Sequence, residues 1–285
     1  MSSVAVVVTN RRPFSHTLRR GLLHLLVVAL LVVLLFPVYY LVQLSLKPEQ
    51  EAFRMPPQFV FWPMLDNYAT VFQGKFLRAL SNSAITATTT TVVSLLLGVP
   101  AAYALSRGRF RHDSAISLWS LSTRMAPPIA FGIPFFLIYK QLDWIDTLQG
   151  LVIVYLTFNL SLVMWMMRTF LDGIPLALEE AAYIDGASIV GTFWRVTLPL
   201  CAPGLATTAI FCFLLSWNDF FYSLVLTRSA AVTAPVAIVN FMNYESWEWG
   251  KISAAGSMIM LPVVVFSLLV RKYLIAGLTS GAVKG

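Results

Sequence analysis

Of the 285 residues, 58% are hydrophobic and only 12% charged, the formal net charge is +7, and the mean hydropathy is +0.75. Soluble domains carry about 25% charged residues and about 45–50% apolar ones, so most of this chain has lipid as its solvent and a soluble globular domain is excluded. The basic residues stand at the ends of apolar runs rather than on one polar face, which excludes a nucleic-acid surface. Cys201 and Cys212 both lie in apolar sequence and read as buried thiols rather than a disulfide or a metal site.

Leu25 to Val42 is wholly apolar, and Gln43 to Leu46 extends it. The run exceeds the roughly 7–15 residues of a signal-peptide core, and Leu46-Lys47-Pro48-Glu49 is a poor processing site, so it reads as a retained anchor helix. Ala79 to Ser106 has no charge over 28 residues, and Ser114 to Tyr139 has one, Arg124. Thr147 to Met167 has none over 21 residues, Val196 to Asn218 none over 23 and Ile252 to Val270 none over 19. A transmembrane helix needs about 20 mostly apolar residues. The expected fold is therefore an all-α membrane protein, a polytopic bundle of six spans near residues 22–46, 80–105, 114–139, 147–168, 203–226 and 252–272. Residues 1–21 precede the spans and 275–285 form a tail. Ser229 to Tyr244 is uncharged over 16 residues, but it contains Pro235, Asn240 and Asn243 and reads as an interfacial or re-entrant external segment.

With the N-terminus inside, the inner segments hold 12 basic residues, among them Arg11, Arg12, Arg109, Arg111 and Lys284, against seven in the outer segments. That imbalance predicts both termini in the cytoplasm. It also puts the polar segment from Glu179 to Pro203 there, between spans four and five.

Gly173-Ile174-Pro175 is a helix start, with Glu179 and Glu180 near the positive end of the helix dipole. Ile174, Leu178, Ala181 and Ala182 share a face, and Asp185-Gly186 is a turn that ends the helix. Two short helices around a glycine corner make a compact peg with an apolar side, suited to a cleft on a partner. Along it stand Glu180-Ala181-Ala182, Asp185-Gly186-Ala187, Phe193, Leu198-Pro199 and Pro203. This pattern resembles the EAA loop of ATP-binding-cassette importer permeases. The C-terminal Arg271-Lys272-Tyr273 and Gly277 to Gly285 resemble the tail of the carbohydrate-uptake subfamily, on the shorter of its two permeases in maltose-type transporters. Similarity extends from Leu25 onward through Arg124 to Pro128, Ser216 to Phe220 and Trp249-Gly250.

The resemblance implies a permease subunit that works by alternating access. It implies a second, homologous permease, two ATPase subunits and an extracytoplasmic solute-binding protein as partners, in a lipid bilayer and with no nucleic acid. Coupling to the ATPases would fall to Glu179, Glu180, Ala181, Ala182, Asp185, Gly186, Ala187, Phe193, Leu198 and Pro199. No cofactor is expected on this chain, and ATP-Mg would sit on the partner subunits. The chain has no G-x-x-x-x-G-K-[ST], no HExxH and no nucleophile elbow, and its three histidines, His16, His24 and His112, are isolated. It is therefore not read as an enzyme.

Within the spans, Arg124 must face protein or a cavity, either as a pathway residue or bonded to carbonyls released by Pro127 and Pro128. Trp217, Asn218 and Asp219 fit either a carbohydrate path or an interfacial aromatic belt. Asn159 and Ser161 fit either pathway lining or bonds between helices. Other solutes of the same superfamily (a polyol, a glycerophosphate or a polyamine) stay open. An ion-coupled secondary transporter would need acids buried in its spans and usually shows internal repeats, and the sequence has neither an acid in the core of a span nor a repeat.

Overall fold

The computed structural model describes residues 14–52, 54–56, 58–108, 113–242 and 247–282. Helices dominate: α1 (Phe14–Ser45), α2 (Asp66–Gln73), α3 (Phe76–Arg107), α4 (Asp113–Ser122), α5 (Pro128–Gln141), α6 (Leu148–Asp172) and α7 (Leu176–Ile184). Next come α8 (Ile189–Thr192), a π-helical turn at Phe193–Thr197, α9 (Leu198–Leu200), α10 (Ala202–Trp217), α11 (Phe221–Leu226), α12 (Ala234–Ala237) and α13 (Trp249–Ala282). No β-strand occurs among the described residues.

Among the described residues, four helices are long and apolar enough to cross a membrane: Arg19–Ser45, Phe76–Arg107, Leu148–Asp172 and Trp249–Leu269. A fifth span results if Ile189–Leu200 and Ala202–Trp217, bent by 78°, are counted together. Two expected spans are broken. The third stretch divides into α4 and α5, because Pro127 is extended (φ −65°, ψ 132°). A residue before proline is pushed out of the helical region, and the consecutive Pro127 and Pro128 also remove two backbone donors. The fifth stretch stops at Trp217 and resumes at Phe221. There both carboxylate oxygens of Asp219 accept from the Tyr222 N–H, at 3.1 and 3.2 Å, so the side chain starts a new helix and competes with the old one. At the C-terminus, α13 continues through Gly277 and Gly281 to Ala282. Arg11, Arg12, Arg109, Arg111, His112 and residues 283–285 lie outside the described residues.

The α3–α6 pair forms the centre, and α10 lies across both. Small residues permit the close approach, as in other membrane helix pairs. A Cβ at Gly98 would stand 2.7 Å from Val163 Cγ1, and one at Gly204 would stand 2.4 Å from the Phe170 ring. One core cluster, with Val99, Tyr103, Val163, Met167 and Phe193, fills the end of the bundle where α3 and α6 finish. Two others, around Val71 and Ala254 and around Tyr155 and Leu226, fill the opposite end. Leu22 to Phe36 of α1 is exposed, as an apolar helix surrounded by lipid would be.

The segment from Ser229 onward folds back against α3. Asn82 Nδ2 donates to the carbonyls of Ala230 and Val232, both at 2.9 Å, and the Ala234 N–H donates to Ser83 Oγ at 2.8 Å. Its irregular backbone is thus paired by protein. The same loop is held from the other side by Asp146, whose carboxylate accepts from the backbone N–H groups of Arg228, Ser229, Ala230 and Ala231. Burial alone raises the Asp146 pKa, but these donations outweigh it and bring it from 3.8 down to about 2. A depressed carboxylate stabilises the fold fully above its unfolded value and loses that contribution as pH falls through the folded one. Pepsin digestion is therefore expected to spare residues 228–231 at about pH 4 and to cut there as the pH approaches about 2. Asp146→Asn is expected to be cut already at the higher pH, and equal resistance of the two proteins would refute the latch.

Candidate functional site

Two places in the bundle gather functional side chains: the peg between α6 and α10, and a cavity among α4, α5, α6 and α11.

The peg begins after Pro175, which takes an extended conformation (φ −59°, ψ 128°) and starts α7. Its end is a Schellman turn. The Ala187 N–H reaches the Ala182 carbonyl at 2.9 Å, the Gly186 N–H reaches the Tyr183 carbonyl at 3.0 Å, and Gly186 has φ 86°. Only glycine takes that conformation without strain. Ser188 then caps α8 by accepting from the Gly191 N–H at 3.1 Å. The π-helical turn follows, and the chain bends by 78° into α10 between Pro199 and Pro203, two residues without an N–H to continue the ladder.

Glu179 holds this unit to the bundle. It is 2% exposed. Its carboxylate accepts from Arg107 Nε at 2.9 Å, Tyr103 Oη at 3.0 Å and Thr197 Oγ1 at 3.0 Å. The same guanidinium reaches the Leu171 carbonyl at 2.9 Å and the Ile174 carbonyl at 3.3 Å through Nη2. Ser106 Oγ donates to Asp172 Oδ1, and Arg168 pairs with the same carboxylate at 3.6 Å. One carboxylate and one guanidinium thus join the ends of α3 and α6 to α7 and the π-helical turn. Phe193 packs its ring on Tyr103, with centroids 4.9 Å apart, and Leu198 packs on the same core.

The two acids in sequence therefore divide. Glu179 points inward, whereas Glu180, Ala181, Asp185 and Gly186 are exposed and Ala182 and Ala187 half-buried. Leu176, Leu178, Ile184, Ile189, Val190 and Trp194 add an exposed apolar surface, with Ile184 87% exposed. Phe193 and Leu198 face the bundle, and Pro199 is exposed at the bend. Arg107, Tyr103 and Thr197 were not singled out in the sequence. The available signal was an arginine closing an uncharged span with no acid beside it.

The cavity has a volume of about 880 Å³ and brings together Arg124, Asp219 and Ser161 with Trp119, Phe135 and Tyr222. Arg124 lies in the turn between α4 and α5, and its side chain bonds none of the carbonyls released by the prolines. Trp217, Asn218 and Asn159 are not in the lining. The Trp217 indole is buried, donates to the Ile259 carbonyl at 3.1 Å and stacks on Phe213. Asn218 donates back to the Leu214 carbonyl at 2.8 Å. Asn159 is fully buried and donates to Ser216 Oγ at 2.9 Å, tying α6 to α10. Among the described residues no cluster of His, Cys, Asp or Glu has the arrangement of a metal site.

Residues 94–278 match the family described as binding-protein-dependent transport system inner membrane component. The chain is 40% identical over 258 residues to the trehalose transport system permease protein SugB of Mycobacterium tuberculosis (strain CDC 1551 / Oshkosh), covering 88% of this chain and 93% of that protein. It is 33% identical over 275 residues to the trehalose/maltose transport system permease protein MalG of Thermococcus litoralis, covering 95% and 99%. Among solved structures, a chain of a bacterial ABC transporter involved in the import of the acidic polysaccharide alginate superposes with a TM-score of 0.74 at 25% identity, over 95% of this chain and 99% of that one.

The Glu179–Arg107 pair is nearly dry, with side chains 3% and 13% exposed. Removing one partner of such a pair costs about 3–5 kcal/mol, because the other charge is left buried and uncompensated. Glu179→Ala and Arg107→Met should each destabilise the purified protein by a free energy of that order, seen as a lower thermal midpoint. The double variant should lose less than the sum. Additive losses would show that the two residues act separately.

Proposed function

The chain belongs to the family of binding-protein-dependent transport system inner membrane components, and from that premise we infer a permease subunit of an ATP-driven importer that moves a carbohydrate across the cytoplasmic membrane. The trehalose and trehalose/maltose permeases among its relatives, and the alginate importer, support a sugar as cargo.

The observation that carries the coupling role is the peg. It exposes Glu180, Asp185, Gly186 and an apolar tip around Ile184, while Glu179 fixes its base to α3 and α6. Exposed apolar patches of this kind mark partner surfaces. The apolar tip inserts into a cleft on the ATPase subunits, Glu180 and Asp185 meet basic groups at its rim, and Ala181 allows close approach. ATP-Mg binds and is hydrolysed on those subunits, and closure of the ATPase pair pushes the peg.

The bundle then counts six spans: α1, α3, the broken pair α4 and α5, α6, α10 with α11, and α13. The excess of basic residues on the peg side sets that side in the cytoplasm together with both termini. A second permease completes the translocation path. An extracytoplasmic solute-binding protein delivers the sugar to the opposite face, where the Ser229 segment lies. The cycle is alternating access: the path opens outward when the ATPases close and inward after hydrolysis.

Gly186→Val forces a side chain into the left-handed region, a strain of about 1–2 kcal/mol, and Glu180→Lys reverses an exposed charge. In complexes reconstituted in liposomes, both variants are expected to insert normally, to recover less ATPase subunit on purification and to lose most ATP-driven uptake. Normal uptake by both would refute the docking role of the peg.

A further inference from the structure

We propose that this subunit contacts the transported solute itself, in the cavity between α4, α5, α6 and α11, and that Arg124 donates there to the oxygens of a carbohydrate. The inference rests on the importer reading above.

Three observations converge. First, the cavity is of ligand size: its volume of about 880 Å³ lies within the roughly 300–1,000 Å³ typical of small-molecule sites. Second, its wall is aromatic. Phe135 meets Tyr222 edge-on with centroids 5.9 Å apart, and Tyr222 stacks on Phe158 at 6.1 Å with only 12° between planes. Flat apolar rings of this kind take the C–H face of a sugar. Third, Arg124 points into this cavity and, among the described residues, makes neither a hydrogen bond nor an ion pair. A guanidinium within a span is costly unless it faces a partner or water, and such residues mark solute routes.

The other charged group of the lining is already engaged. Asp219 spends both oxygens on the Tyr222 N–H that starts α11. Thr123 and Ser161, which share a contact of 3.2 Å, add hydroxyls on the side of Arg124. The site thus offers a five-donor cation, small hydroxyls and an aromatic wall. A polyamine would be repelled by Arg124 and leave its donors unused. A bare phosphate would leave the rings without a partner. A carbohydrate supplies both halves, with acceptor oxygens for Arg124 and an apolar ring face for Phe135 and Tyr222. Those oxygens are hydroxyls in a neutral sugar and carboxylates in an acidic one, and both present the same acceptor chemistry.

The test uses the full complex with its solute-binding protein, in liposomes, with labelled trehalose and maltose as neutral probes and a labelled alginate oligosaccharide as the acidic one. If the wild type takes up none of them, the carbohydrate-importer reading itself fails, independently of the cavity. For a probe that is taken up, label retained by the complex is measured in an ATP-bound state with hydrolysis blocked. Arg124→Met is expected to lower retention about tenfold, and Arg124→Lys to recover part of it. Phe135→Ala is expected to lower it several-fold, and Leu137→Ala, outside the lining, to match wild type. Loss with every transported probe identifies hydroxyl contacts, and loss confined to the alginate oligosaccharide identifies a carboxylate. Wild-type retention by Arg124→Met overturns the proposal. If that variant yields no complex, wild-type retention by Phe135→Ala overturns it instead.

Discussion

A carboxylate shut away from water needs its lone pairs answered, and Glu179 has three donors, Tyr103 and Arg107 at the end of α3 and Thr197 in the π-helical turn. That requirement organises the peg end of the molecule. Arg107 can serve Glu179 only if α3 ends where it does, because the same guanidinium also takes two carbonyls at the end of α6. Thr197 can serve it only if the π-helical turn brings its hydroxyl inward. Once these bonds are made, α7, α8 and the π-helical turn have little freedom relative to α3 and α6. A force on the exposed tip therefore reaches the two central helices without being absorbed in a flexible loop.

The same economy of backbone groups explains the breaks in the spans. Lipid offers no hydrogen bonds, so a helix stops within a span only where protein or a cavity accepts its ends. Pro127 and Pro128 end α4, and Asp219 answers the start of α11. Residues of both breaks line one cavity. The irregular backbone that would be costly against lipid thus faces a space in which a polar solute can be accommodated.

Much of this was legible in the sequence because apolar run length and charge placement are strong signals in a membrane protein. The uninterrupted runs give α1, α3, α6 and α13, and Asp185-Gly186 gives the end of α7, since only glycine fits its left-handed turn. Run length cannot reveal a break made by two prolines or by one capping aspartate, and so the third and fifth stretches read as continuous. Nor does local pattern separate Glu179 from Glu180. The two are adjacent acids on a short helix, and their opposite fates depend on Arg107, 72 positions earlier. Trp217 misled for a related reason. Its partners are Phe213 on its own helix, α10, and the Ile259 carbonyl on α13, which packs against it, so an aromatic residue at the end of a span became packing rather than a sugar platform.

The most direct test of rigid coupling is the distance from the peg tip to the end of α6, measured by pulsed electron spin resonance between labels at Ile184→Cys and Thr169→Cys, both exposed positions, with the buried Cys201 and Cys212 replaced by alanine. In the assembled complex that distance should be single and unchanged between the nucleotide-free and ATP-bound states, and should broaden when Glu179→Gln is added. A distance that already shifts or broadens with ATP in the otherwise native protein would contradict the account, because the peg would then move against the bundle and not with it.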